Sequence, residues 1–130
     1  MFDEFVISKT SKLFNVLSSE IRIKIIYYLM ENDSLTVTEL SEKLNVPQNT
    51  LSSHLKILFD GSYIYKEQKW RNINYSIREK KLEKIIEIAR SILKDKWKGN
   101  WEKIDSAKKS LDKIMNEKKV YCKNTKTQSG

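Results

Sequence analysis

Thr36-Val37-Thr38-Glu39-Leu40-Ser41-Glu42-Lys43-Leu44-Asn45-Val46-Pro47-Gln48-Asn49-Thr50-Leu51-Ser52-Ser53-His54-Leu55-Lys56-Ile57-Leu58-Phe59 reads as two short helices set against one another. Thr36 offers an N-cap oxygen, and Glu39 three residues on completes a capping box that ties up two backbone donors left orphaned at a helix start. The helix so opened is brief, about residues 37 to 44. Asn45 and Val46 make a tight connection, and Pro47 stands in a first turn, where no amide donor is needed. The second helix runs to about Phe59, with Leu51, Leu55 and Leu58 on one side and Gln48, Asn49, Ser52, Ser53 and Lys56 on the other. Two stacked short helices, the second polar on its outer face, form a helix-turn-helix arrangement.

Upstream, Ser18 and Ser19 supply cap oxygens for a helix whose stripe is Ile21, Ile25, Ile26 and Leu29. A first helix over about residues 3 to 17 follows from Phe2, Phe5, Val6, Leu13, Phe14 and Leu17, which recur in steps of three and four. Downstream, Asp60, Gly61 and Ser62 break the helical period and a period of two replaces it. Tyr63 and Tyr65, a polar turn at Lys69, Trp70, Arg71 and Asn72, then Ile73, Tyr75 and Ile77 make a β-hairpin. From Glu79 a helix with Leu82, Ile85, Ile86, Ala89, Leu93 and Trp97 continues until Gly99 and Asn100. A last amphipathic helix carries Trp101, Ile104, Leu111 and Met115, and the polar residues after about Cys122 read as a disordered tail. The fold class is mainly α with a small β-hairpin, an α+β winged helix-turn-helix. The expected domains are 1–98 for the winged unit, 99–121 for the additional helix and 122–130 for the tail.

Composition bounds the function. The 130 residues make about one domain. One Cys and one His cannot build a zinc cluster or an internal disulfide. No apolar run approaches the roughly 20 residues of a membrane helix, and the opening Met1, Phe2, Asp3, Glu4 lacks a basic signal-peptide head. A cytoplasmic protein with no membrane partner is expected. The net charge of +8 is unevenly spread: residues 1–65 hold six basic and eight acidic side chains, residues 66–130 nineteen and nine. Such asymmetry suits a polyanionic partner, although a charge run also serves as a solvated face.

Three blocks, in order, resemble the ArsR family of transcription regulators. They are Leu17-Ser-Ser-Glu-Ile-Arg22-Ile-Lys-Ile-Ile-Tyr-Tyr-Leu29, Glu39-Leu40 with Pro47-Gln-Asn-Thr-Leu-Ser52-Ser-His54-Leu55-Lys-Ile-Leu58, and Asn74-Tyr75-Ser-Ile77 at the close of the hairpin. The likeness covers about residues 13 to 78. It implies a homodimer that binds a pseudo-palindromic operator in double-stranded DNA and represses transcription. It also implies dimer contacts from the first and fifth helices, with Phe2, Phe5, Leu82, Ile86, Leu93 and Trp97 as interface candidates; completion of the monomer core is the competing reading of each.

Within the recognition helix, Gln48 and Asn49 carry amides able to bond adenine edges, and Ser52 and Ser53 are short enough to let the helix sit deep in a groove. Thr50 and Lys56 are placed on phosphate. At the wing, Lys69 and Arg71 flank Trp70 and reach for phosphate or a minor groove. Trp70 stands where the family often has Gly, which points to packing beneath the wing instead. Arg22 reads as an ion-pair or capping residue, and His54 as a satisfied, half-buried histidine.

The resemblance also implies where metal sensors carry their ligands: a Cys pair at the start of the third helix, here Thr36 and Thr38, or acidic residues with several His on the fifth, whereas this chain has its only His elsewhere. No metal and no cofactor are expected. Cys122 is a lone thiol, open to an intersubunit disulfide but better read as inert. The effector, small molecule or protein, is not named by these residues. No Gly-rich phosphate loop, no Ser, His and Asp set and no paired carboxylates point to an enzyme. A winged helix used as a protein-interaction module without an operator is the alternative.

Overall fold

The computed structural model describes residues 3–128, with the side chains of residues 3–114. Phe2 therefore lies outside the described residues, and the side chains of Met115 and Cys122 outside the described side chains. Asp3 caps α1 (Glu4–Leu17), its carboxylate accepting the Val6 amide at 2.8 Å. Ser19 caps α2 (Glu20–Glu31) through the Arg22 amide at 3.4 Å. There follow β1 (Leu35–Thr36), α3 (Val37–Leu44), α4 (Gln48–Asp60), β2 (Ile64–Lys69), β3 (Asn72–Ile77), α5 (Lys81–Lys96) and α6 (Lys98–Gln128). The strands form an antiparallel sheet in the order β1-β3-β2, in which Tyr75 of β3 pairs with Leu35 on one side and Lys66 on the other. The sequence does not announce β1, because two residues cannot display an alternation.

The apolar stripes meet in one core. Ile25, Ile26 and Leu29 of α2 pack with Leu40 of α3, with Leu51, Leu55 and Leu58 of α4, and with Leu35, Ile64, Tyr75 and Leu82. Leu82 is 1% exposed, so the expectation of an intersubunit contact there is corrected. Its side chain is spent inside the core and has no surface to offer a partner. Ile86 is half-buried against the same core.

The connections follow local chemistry. At Thr36 the hydroxyl accepts the Glu39 amide at 3.2 Å and donates to the Glu39 carboxylate at 3.1 Å. Only one backbone donor is thereby satisfied, where the capping box promised two. Asn45 ends α3 in the left-handed region at φ 55°, which Asn tolerates, and the Ser41 hydroxyl braces the turn by donating to the Val46 carbonyl at 2.6 Å. Pro47 is the cap of α4 rather than its first-turn residue, and its carbonyl accepts the Leu51 amide. After α4, Gly61 leaves room for the Tyr63 ring, with which a Cβ would collide.

One side chain joins three helices. Arg22 donates from Nε to the Val16 carbonyl at 2.6 Å and from Nη2 to the Asn15 carbonyl at 3.3 Å, capping the last turn of α1. Its Nη1 stands 3.1 Å from Nδ1 of His54 on α4. Since guanidinium only donates, Nδ1 accepts and the ring proton belongs on Nε2. Arg22 is thus a cap, and His54 a satisfied, half-buried histidine, in line with the sequence.

Met1–Ile86 and Glu87–Gly130 are two compact units. In the second, the helical path breaks at Trp97, whose carbonyl accepts the Asn100 and Trp101 amides at 3.0 and 2.8 Å. Gly99 and Asn100, expected to stop a helix, lie instead in the first turn of α6, where one Gly costs only about 1 kcal/mol. Arg90 reaches the Asp105 carboxylate at 3.6 Å and lies over the Trp101 ring. The backbone of α6 extends to Gln128, past the helix end near 121 and into the span 122–130 expected to be disordered; no Gly or Pro interrupts residues 100–129. Among the described residues no helix is long and apolar enough to cross a membrane.

Leu82→Ala is expected to lower the free energy of unfolding by about 2–5 kcal/mol, the range for a truncated core leucine, as read by denaturant titration. His54 offers a second test. Burial, and then the Arg22 charge, hold its imidazole below the ordinary value. The unfolded chain takes up a proton near pH 6.5 while the folded one resists to lower pH, so this contribution to stability is intact above about 6.5 and lost as pH falls further. Because His54 is the chain's single histidine, its NMR titration midpoint is expected below the ordinary value, and to move part of the way back in Arg22→Gln.

Candidate nucleic-acid interface

The burial of Leu51, Leu55 and Leu58 turns the opposite side of α4 to solvent. Gln48, Asn49, Ser52, Ser53 and Lys56 are exposed there, with Thr50 half-buried at the edge. Gln48 donates from Nε2 to the Thr38 hydroxyl at 3.3 Å, which ties the first turn of α4 to α3. Asn49 accepts the Thr50 amide on Oδ1 at 2.9 Å. Ser52 and Ser53 donate to the carbonyls of Gln48 and Thr50, each at 2.8 Å. With their protons committed to the helix, both serines present acceptor lone pairs outward, the complement of an exocyclic amino group on a base edge.

Lys56 pairs with Asp60 at 2.8 Å on the same face. Both side chains are more than half exposed, and pairs of that kind contribute about 0–1 kcal/mol, so an incoming phosphate can displace the carboxylate at small cost. Sequence reasoning passed over Ile57, which is 43% exposed and offers an apolar contact suited to a thymine methyl. Its position two residues beyond the buried Leu55 would have revealed it.

The hairpin adjoins the end of α4. Lys66 of β2 lies with Nζ 5.5 Å from the Phe59 ring centroid. A notch of about 420 Å³ is lined there by Ser52, Lys56, Phe59, Asp60, Lys66 and Tyr75. Burial pushes the Tyr75 phenol above its ordinary pKa. At the hairpin's tip Lys69 and Arg71 are exposed, and Lys69 has a loose 3.9 Å contact with Glu67. Trp70 does not pack beneath the wing: it is 94% exposed, and its φ of 60° directs it away from the sheet into solvent. The hairpin there has only two residues between Lys69 and Asn72, too few to fold the indole back.

Of the interface candidates, Phe5 is 68% exposed, Trp97 52% and Leu93 37%. Phe5, Val6, Leu13, Val16 and Tyr63 line an apolar groove of about 700 Å³ beside α1, with Lys9, Lys12 and Lys81 around it.

Comparison with known proteins agrees with this geometry. The family model described as bacterial regulatory protein, arsR family, matches residues 19–66, which take in α2, both helices of the helix-turn-helix and the start of the hairpin. The arsenical resistance operon repressor of Bacillus subtilis (strain 168) is 31% identical over 81 residues, 62% of this chain and 77% of the relative. Among solved structures, HlyU from Vibrio cholerae N16961 has a TM-score of 0.61 at 26% identity, covering 69% of this chain and 97% of its own. The transcriptional repressor PagR of Bacillus anthracis has a TM-score of 0.57 at 28% identity, covering 67% and 99%. Capped helix pair, hairpin wing and sequence likeness converge: the chain belongs to the bacterial arsR family of winged helix-turn-helix DNA-binding regulators.

Proposed function

We propose that this protein works as a homodimer on a pseudo-palindromic operator in double-stranded DNA and represses transcription from it. The polar outer face of α4 carries the reading, since a buried leucine stripe holds that helix while its short polar side chains stay available to a groove. Gln48, Asn49, Ser52 and Ser53 read base edges; Thr50, Lys56, Lys69 and Arg71 contact phosphate and set the register. The relatives named as repressors support the sign of regulation.

The dimer is supported by apolar surface that the monomer leaves uncovered. Phe5, Val6, Ile7 and Phe14 are exposed along α1, large apolar side chains that the monomer leaves to solvent on one short helix. Phe2, Phe5, Ile86, Leu93 and Trp97 remain the interface residues of this proposal. A two-fold pair can present its recognition helices about 34–36 Å apart, to successive major grooves on one side of the duplex.

The test is fluorescence anisotropy on fragments selected from the source genome, over a range of salt. Salt-sensitive, saturable binding to a two-fold site is expected. Its absence would leave the protein-interaction module as the better reading. Gln48→Ala combined with Ser52→Ala should reduce the discrimination between operator and random DNA by about 1–3 kcal/mol for each base edge no longer read. Lys69→Ala or Arg71→Ala should instead weaken binding to every sequence alike, with the log–log salt slope reduced by about one for each phosphate no longer neutralised.

A further inference from the structure

Trp70 is both strained and unprotected. It occupies the first of the two turn residues between Lys69 and Asn72 with φ at 60°, a conformation that Gly adopts freely and a bulky side chain resists. Its indole is 94% exposed, and no ring contact or hydrogen bond holds it among the described residues. Backbone strain and a solvent-facing indole each disfavour tryptophan in the free protein. Strain of this kind clusters at ligand clamps and other functional sites. Lys69 and Arg71, the residues on either side, are exposed cations.

We propose that Trp70 is a minor-groove contact, entering the groove beside each half-site while Lys69 and Arg71 engage the phosphates along its edges. This rests on the operator-binding reading above. A minor groove about 6 Å wide admits the edge of a planar ring, and proteins that bind this groove insert apolar side chains into it between base steps. The indole N–H is a donor only, which matches the acceptors on the floor of A·T pairs; at G·C pairs the guanine amino group stands in its path. The tip thereby prefers A·T-rich flanks at positions that α4 does not touch. The flanking cations select a polyanion over an apolar protein groove, and a duplex engages the polar face of α4 together with the tip, as a lipid surface does not.

The experiment compares full-length wild type, Trp70→Gly and Trp70→Phe by anisotropy on the selected fragment at several salt concentrations, alongside thermal melts. Trp70→Gly is expected to bind about tenfold more weakly with the wild-type salt slope, since every phosphate keeps its cation. Its melting temperature is expected to equal or exceed that of wild type, because glycine relaxes the turn. Trp70→Phe is expected to keep most of the affinity and lose the part of the A·T preference that the indole N–H supplies. Wild-type affinity in Trp70→Gly overturns the proposal while leaving operator binding intact. A lower melting temperature in Trp70→Gly also overturns it, as it would mark the indole as a structural residue. If Trp70→Gly loses binding to anionic phospholipid vesicles and not to DNA, the tip belongs to a membrane surface instead. A wild-type protein without salt-sensitive DNA binding overturns the operator reading and this inference together.

Discussion

The guanidinium of Arg22 constrains the arrangement on which the rest of the first unit depends. From one planar group it closes the last turn of α1, through the Val16 and Asn15 carbonyls, and holds the middle of α4 through His54. A fork of fixed geometry sets directions as well as contacts, which a flexible ammonium at the same position would not do. The helix with the exposed Phe5 and the helix with the exposed polar face are therefore oriented by the same side chain. In the proposed two-fold pair the separation of the two recognition helices would follow from the angle between those elements, so the reach of such a dimer would depend in part on Arg22.

Much of this was legible in the chain because it is locally encoded. Ser19 and Thr36 announce helix starts, and the leucines of α4 recur at helical spacing, so the capped helix pair and its outward face could be read with short-range rules. What escaped the reading depends on residues distant in sequence. Strand β1 exists because Leu35 finds Tyr75, forty residues on, and two residues carry no period of their own. Leu82 has the same spacing whether it faces a partner or the core; only the packing of α5 onto that core decides. At Trp97 the helical path is interrupted two residues ahead of the glycine that local rules single out as the stop, and its carbonyl accepts the first amides of α6. The direction of Trp70 turns on a single dihedral angle at a two-residue turn.

The candidate DNA surface divides its work between chemically different parts. On α4 the serine protons are already used, the Gln48 amide is tied to Thr38 and the one lysine is matched by a carboxylate, so the helix offers shape and acceptors with little net charge. Positive charge is concentrated later in the chain, where residues 66–130 carry nineteen basic groups against nine acidic. In the proposed complex, attraction to any duplex and discrimination among duplexes would thus come mainly from separate residues. A substitution in one set should be readable without disturbing the other.

Asp60 sharpens that separation. In the free protein it neutralises Lys56 at 2.8 Å and removes a cation from the face that reads bases. Against random DNA, a docked α4 would bring this carboxylate near the backbone, and the repulsion opposes adhesion that lacks compensating base contacts. On a matching site, where Gln48, Asn49 and the serines fix the register, Lys56 can exchange its partner for a phosphate at a cost no larger than that of an exposed ion pair. In the proposed complex an acidic residue at the end of the recognition helix would thereby lower adhesion to random DNA, where no base contacts offset the repulsion, which is the general form of selectivity by repulsion.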